Sequence, residues 1–195
     1  MHYLPNILSF LRILLVPIFL WLYFQPDMLI RFLGILVFIL AALTDLLDGY
    51  IARKKGFQTP FGAFLDPLAD KILTFSGFFC LPFIDPELYP WWAVWTIVTR
   101  DIVITLLRIY AKKQRVPIYT RASAKWKTFT QMTFLYVALI LGATIDSVHP
   151  LLMFSGAIMS SWLMYYAMVT VTIITVYSGL EYLVVNRALF YRNHT

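Results

Sequence analysis

The sequence predicts an all-α, polytopic membrane protein with six transmembrane helices and both termini in the cytoplasm. Three observations predict it: a composition too apolar for a soluble domain, six apolar stretches of near-spanning length, and loop cations that gather on one side. Of the 195 residues, 61% are apolar and 13% charged, and the mean hydropathy is +0.75. A soluble domain is about 45–50% apolar and about 25% charged. The composition therefore excludes a disordered chain, a nucleic-acid-binding domain and an ordinary cytosolic enzyme. The net charge of +6 fits a membrane protein whose cationic loops face the cytoplasm and anionic lipid.

The stretches are residues 7–24, 29–51, 67–84, 91–111, 129–145 and 151–185. About 20 apolar residues are needed to cross about 30 Å of hydrocarbon. Spanning segments must satisfy their backbone groups internally, so all six are expected to be helices. The first has the length of a signal peptide. It lacks a small-residue cleavage site, carries Arg12 and runs into Gln25-Pro26-Asp27, so it reads as a retained helix. The second ends in Arg53, Lys54 and Lys55, which give it a cytoplasmic end. The third is the most marginal on length and contains Cys80, the single cysteine, placed in an apolar run where inert packing is its expected role. The fourth opens with Trp91, Trp92 and Trp95, an interfacial aromatic belt. Lys112, Lys113, Arg115, Arg121, Lys125 and Lys127 follow it; the fifth comes next, and the sixth is long enough to run beyond the bilayer before Arg187 and Arg192. The opposite connections hold Asp27, Asp85, Glu87 and Asp146, with Arg31 as the cation near them. This bias predicts the topology and a single membrane domain over residues 1–195, in the cytoplasmic (inner) membrane of the cell.

Chemistry is concentrated in the acids. Four of the ten Asp and Glu residues fall within 26 positions: Asp45, Asp48, Asp66 and Asp70. At about 100° per residue, Asp45 and Asp48 lie about 60° apart on one helix face, and Asp66 and Asp70 about 40° apart. Two helices joined by a short loop are antiparallel neighbours, so both pairs can face one cavity near the cytoplasmic surface. Each ionised carboxylate at membrane depth costs about 2.5–3.5 kcal/mol, so the cluster needs compensation. An all-oxygen set with no nearby His or Cys selects hard cations, Mg²⁺ or Mn²⁺ rather than zinc. Four carboxylates suit two such ions and phosphoryl transfer. A proton or cation relay in a transporter, or acids simply paired with Arg53 and Lys71, is the competing reading. A relay calls for ligands near the midplane with access from both sides, whereas these acids lie toward one face. Gly49, Ala52 and Gly62 are small residues among the acids, which lets a bulky ligand approach the backbone. Arg53 is open between binding a phosphate and serving as an ordinary cytoplasmic loop charge.

The run Asp45-x2-Asp48-Gly49-x2-Ala52-Arg53-x8-Gly62-x3-Asp66-x3-Asp70 resembles, at every position, the signature of the CDP-alcohol phosphotransferase family. That resemblance implies six transmembrane helices, a homodimer, and a site of two Mg²⁺ or Mn²⁺ ions per subunit at the cytoplasmic face. It implies that Asp45, Asp48, Asp66 and Asp70 ligate metal, that Asp70 is also the general base, and that Gly49, Ala52, Arg53 and Gly62 cradle the CDP group. The segments Pro5–Arg12, Arg100–Ile104 through Leu107-Arg108, and Lys125–Thr128 with Gln131 are similar to the bacterial phosphatidylglycerophosphate synthases of that family. Position 101 is Asp where many such synthases carry Glu, and eukaryotic-type cardiolipin synthases show Arg-Asp there, which leaves the acceptor open.

The resemblance thus implies CDP-diacylglycerol as donor and glycerol 3-phosphate as acceptor, with phosphatidylglycerol as the alternative acceptor. Arg53 and Asn6 are expected to hold the nucleotide phosphates. If Arg108, Arg121 and Lys127 converge, they form an anion pocket for the acceptor phosphate, with Lys125 evenly placed between that role and lipid contact. Lys112, Lys113 and Arg115 read as loop charges against anionic lipid, and no nucleic-acid partner is expected.

Overall fold

The computed structural model describes residues 4–55, 60–114, 122–145, 158 and 162–187, with the side chains of 4–8, 45–55, 60–66, 112 and 122–125 outside that description. Among the described residues there are six helices and no strand: α1 (Leu4–Tyr23), α2 (Met28–Lys55), α3 (Pro60–Ile84), α4 (Trp91–Lys113), α5 (Ala122–Ala143) and α6 (Trp162–Val185).

Each helix grows from one of the expected apolar stretches, but two begin well before it. α3 starts seven residues before the apolar run at 67, and α5 seven before the run at 129. Hydropathy ends where charges begin, whereas the backbone ladder continues as long as each N–H finds its carbonyl four residues back. α2, at 28 residues, is about 42 Å long and so exceeds the hydrocarbon thickness. Of the expected sixth stretch, 151–157 and 159–161 lie outside the described residues. By length and composition, Pro67–Ile84 and Trp162–Val185 are long and apolar enough to cross a membrane; Ser9–Tyr23 and Met28–Thr44 are shorter apolar helices.

Local polar groups punctuate the helices. Asp27 caps α2: its Oδ1 accepts from the backbone N–H of Leu29 at 2.7 Å and Ile30 at 3.2 Å. Asp85 does the same in the α3–α4 connection, accepting from Glu87 N at 2.9 Å and Leu88 N at 3.1 Å. These two acids are therefore occupied by turn formation.

α1 packs against α2 and α3; α3 also meets α4 and α5, and α6 lies against α4 and α5. Phe19, Phe38, Phe78, Leu81, Leu135, Leu139 and Met168 are fully buried at the centre. Phe19 and Phe38 join α1 to α2 with ring centroids 4.9 Å apart, and Phe38 meets Tyr136 of α5 edge-on at 5.7 Å. Cys80 is fully buried, with its Sγ donating to the Ser76 carbonyl at 3.3 Å, in keeping with a packing role. The outward face of α2 carries Leu29, Leu33, Leu36, Leu40 and Leu43, all exposed at helical spacing where a water-facing helix would be charged. Trp92 and Trp95 are half-exposed near the start of α4, and Trp91 packs edge-on against Phe79 and Phe83.

Candidate active site

Asp45, Asp48, Gly49, Ala52 and Arg53 lie on the last three turns of α2, and Gly62, Asp66 and Asp70 on the first three turns of α3. The connecting residues 56–59 are outside the described residues, and α2 and α3 are in contact. Asn6 lies on the first turns of α1, which packs on both. The side chains of Asn6, Asp45, Asp48, Ala52, Arg53 and Asp66, and the surroundings of Gly49 and Gly62, fall outside the description. The helices nevertheless put both acidic pairs on the ends of neighbouring elements that are joined by a four-residue link.

Asp70 is described. Its side chain is 32% exposed, and its Oδ2 lies 3.0 Å from Lys71 Nζ. Its backbone carbonyl accepts from Thr74 Oγ1 at 3.0 Å, a bond within α3 that leaves the carboxylate out of the helix ladder. The carboxylate is thus held beside Lys71 and partly open to the outside of the protein.

Of the four expected acceptor cations, the structure describes the side chains of Lys127 and Arg108. Lys127 is 4% exposed, and its Nζ donates to both carboxylate oxygens of Asp101, at 2.5 and 2.7 Å. Arg108 is exposed in the C-terminal half of α4, its guanidinium 5.3 Å from the centre of the Tyr182 ring on α6. Arg121 lies outside the described residues, as does the side chain of Lys125. Lys127 is therefore satisfied internally, while Arg108 keeps an exposed side chain.

Asp101 was not singled out as a site residue by sequence reasoning, and it proves to be the hub of this region. A signal was available: an ionisable residue inside an apolar spanning stretch marks a functional or paired position. Arg12 is likewise fully buried, its Nε donating to the Ala41 carbonyl at 3.3 Å, one turn before Asp45. A long side chain in the first apolar stretch gave no hint of that direction.

The whole aspartate signature lies inside the matched region when the chain is compared with known families: residues 2–174 match CDP-alcohol phosphatidyltransferase. The chain belongs to the CDP-alcohol phosphatidyltransferase family. It is an enzyme of that family, and a membrane protein. Curated relatives agree. The chain is 37% identical over 143 residues to the CDP-diacylglycerol–glycerol-3-phosphate 3-phosphatidyltransferase of Rickettsia typhi, covering 73% of this chain and 79% of the relative. It is 31% identical over 166 residues to the protein of the same name from Shigella flexneri serotype 5b, covering 82% and 90%. A probable phosphatidylglycerophosphate synthase of Mycobacterium tuberculosis is 38% identical over 131 residues, covering 66% and 61%.

For this phosphatidyltransferase the donor set suits a hard divalent cation. The signature acids are all carboxylates, and the one whose side chain is described, Asp70, is partly exposed next to Lys71. Among the described residues no cluster of three or more His, Cys, Asp or Glu side chains forms a metal site; the three remaining signature aspartates belong to the undescribed side chains.

Proposed function

We propose that the enzyme transfers the phosphatidyl group of CDP-diacylglycerol to the hydroxyl of glycerol 3-phosphate, giving phosphatidylglycerophosphate and CMP. The supporting observation is the placement of Asp45, Asp48, Asp66 and Asp70 on adjoining ends of α2 and α3, within a chain whose relatives carry that reaction in their names. Six membrane-spanning helices with both termini in the cytoplasm put these ends at the cytoplasmic surface, where a soluble acceptor meets a lipid donor. The working unit in this reading is a homodimer.

Asp45, Asp48, Asp66 and Asp70 are the residues to hold two Mg²⁺ or Mn²⁺ ions, which when bound supply neutralisation of the pyrophosphate and of the departing CMP. Arg53 and Asn6 hold the nucleotide phosphates by charge-assisted hydrogen bonds. Gly49, Ala52 and Gly62 leave the backbone open to the CDP group. Arg108 meets the acceptor phosphate, with Arg121 and Lys125 on the segment that follows. Lys127 takes part in binding only by leaving Asp101; in the paired state it steadies α5. The acceptor oxygen attacks the β-phosphorus, the bond from that phosphorus to the bridging oxygen breaks, and CMP leaves with the electron pair. The hydroxyl proton passes to the Asp70 carboxylate.

The test is CMP release from CDP-diacylglycerol by purified protein with Mg²⁺, with glycerol 3-phosphate and phosphatidylglycerol offered separately. Release driven by glycerol 3-phosphate is expected. Release driven only by phosphatidylglycerol would keep the mechanism and move the enzyme to cardiolipin formation. No release from folded protein with either would overturn the reading.

A further inference from the structure

The transfer chemistry assigns no role to Asp101, the centre of a buried ionic cluster. Asp101, in the middle of α4 and 6% exposed, receives Lys127 Nζ of α5 at 2.5 and 2.7 Å and Gln131 Nε2 at 3.4 Å. Its own neighbour Arg100 donates from Nη1 to Asp101 Oδ1 at 3.0 Å and from Nη2 to Ser178 Oγ of α6 at 2.6 Å. Gly179 makes room for that arginine: a Cβ there would stand 2.8 Å from Arg100 Nε. Four residues after Ser178, Tyr182 receives Arg108 on its ring. One carboxylate thus ties α4 to α5 directly and, by orienting Arg100, ties α4 to α6.

As a buried ion requires, further donors, Arg100 and Gln131, fill the lone pairs of the carboxylate that Lys127 leaves free. Here the same carboxylate also orients Arg100, which fixes the α6 face where Arg108 lies two turns, about 10 Å, farther along α4. We propose that Asp101 is a positioning residue for the acceptor: it sets the register of α4 against α5 and α6, and so the place where the Arg108 guanidinium meets the acceptor phosphate. This rests on the reading above in which glycerol 3-phosphate is the acceptor and Arg108 binds it.

The experiment is steady-state CMP release by the full-length enzyme, varying glycerol 3-phosphate at saturating CDP-diacylglycerol and the reverse. For Asp101→Asn, the acceptor KM is expected to rise about tenfold while the donor KM moves less than about twofold. Asp101→Glu, which keeps the charge, is expected to recover most of the loss. Ser178→Ala removes the Arg100 anchor without stranding a charge, so it tests the same tie if Asp101→Asn does not accumulate as folded protein. It should raise the acceptor KM by about two- to fivefold. Adding Asp101→Asn to Arg108→Gln should cost no more acceptor affinity than Arg108→Gln alone, because the first acts through the second. Equal rises in both KM values, a Glu variant as impaired as Asn, or full additivity with Arg108→Gln would overturn the proposal while leaving the transfer reaction standing. A wild-type enzyme that does not turn over glycerol 3-phosphate would overturn the functional reading, and this proposal with it.

Discussion

Gly142→Ala probes the meeting point of α1, α3 and α5, which holds the far end of the bundle together. A Cβ at Gly142 would stand 2.5 Å from Ile84 Cδ1 and 2.7 Å from Tyr23 Oη. The two neighbours differ in how easily they yield. Ile84 Cδ1 is the free end of a flexible, half-buried side chain. Tyr23 is 4% exposed, and its hydroxyl donates to the Leu139 carbonyl at 3.0 Å, so moving it disturbs a buried hydrogen bond. Overpacking of this kind costs about 1–3 kcal/mol, and the disturbed bond about 1 kcal/mol more. For a chain of this size the sum corresponds to a Tm lower by roughly 5–12 °C. Cys80 supplies the assay: it is the single cysteine and fully buried, so a fluorogenic maleimide reports unfolding during a thermal ramp in detergent. Ile84→Val deletes Cδ1. Alone it should cost less than about 1 kcal/mol, and in the Gly142→Ala background it should restore about half of the lost Tm. A Gly142→Ala protein melting within about 1 °C of wild type, or no recovery with Ile84→Val, would refute the packing described for this corner.

Three further outcomes bear on the site. Asp70→Asn is expected to lower kcat by about 10²–10⁴ with CDP-diacylglycerol binding retained, and turnover near the wild-type rate would remove Asp70 as the base. Chelation should reduce CMP release to background, with Mg²⁺ or Mn²⁺ restoring it; undiminished release after exhaustive metal removal would refute the carboxylate metal site. Lys127→Met strands the buried Asp101 carboxylate against only part of its partners and should destabilise the fold by about 3–5 kcal/mol, whereas Asp101→Asn with Lys127→Met should recover most of that. Simple addition of the two single losses in the double variant would show that the pair is not energetically coupled.

The helices themselves were legible because their cause is local. An apolar run in hydrocarbon has to form its hydrogen bonds internally, so composition alone dictates helix, and each expected stretch has its counterpart from α1 to α6. The aspartate pairs were legible for the same reason: spacings of three and four residues fix a common face on any helix. Helix ends were less so, since α3 and α5 extend through polar residues that a hydropathy reading discards.

What only the tertiary structure decided is which charges meet. Asp101 and Lys127 are 26 positions apart, and Arg100 reaches Ser178 across 78. Those distances depend on how α4, α5 and α6 pack, and nothing in their local sequence encodes it. Sequence reasoning therefore placed Lys127 with the acceptor cations, from its position after the fourth stretch, and the fold places its ammonium on Asp101. A charged side chain in a membrane bundle finds a counter-charge or a backbone carbonyl, but the chain order does not say which one. The sequence determined that the acids and small residues of the signature fall on two helices joined by a four-residue link; the packing of three helices decided that Arg108 stays exposed and that Lys127 is held inside.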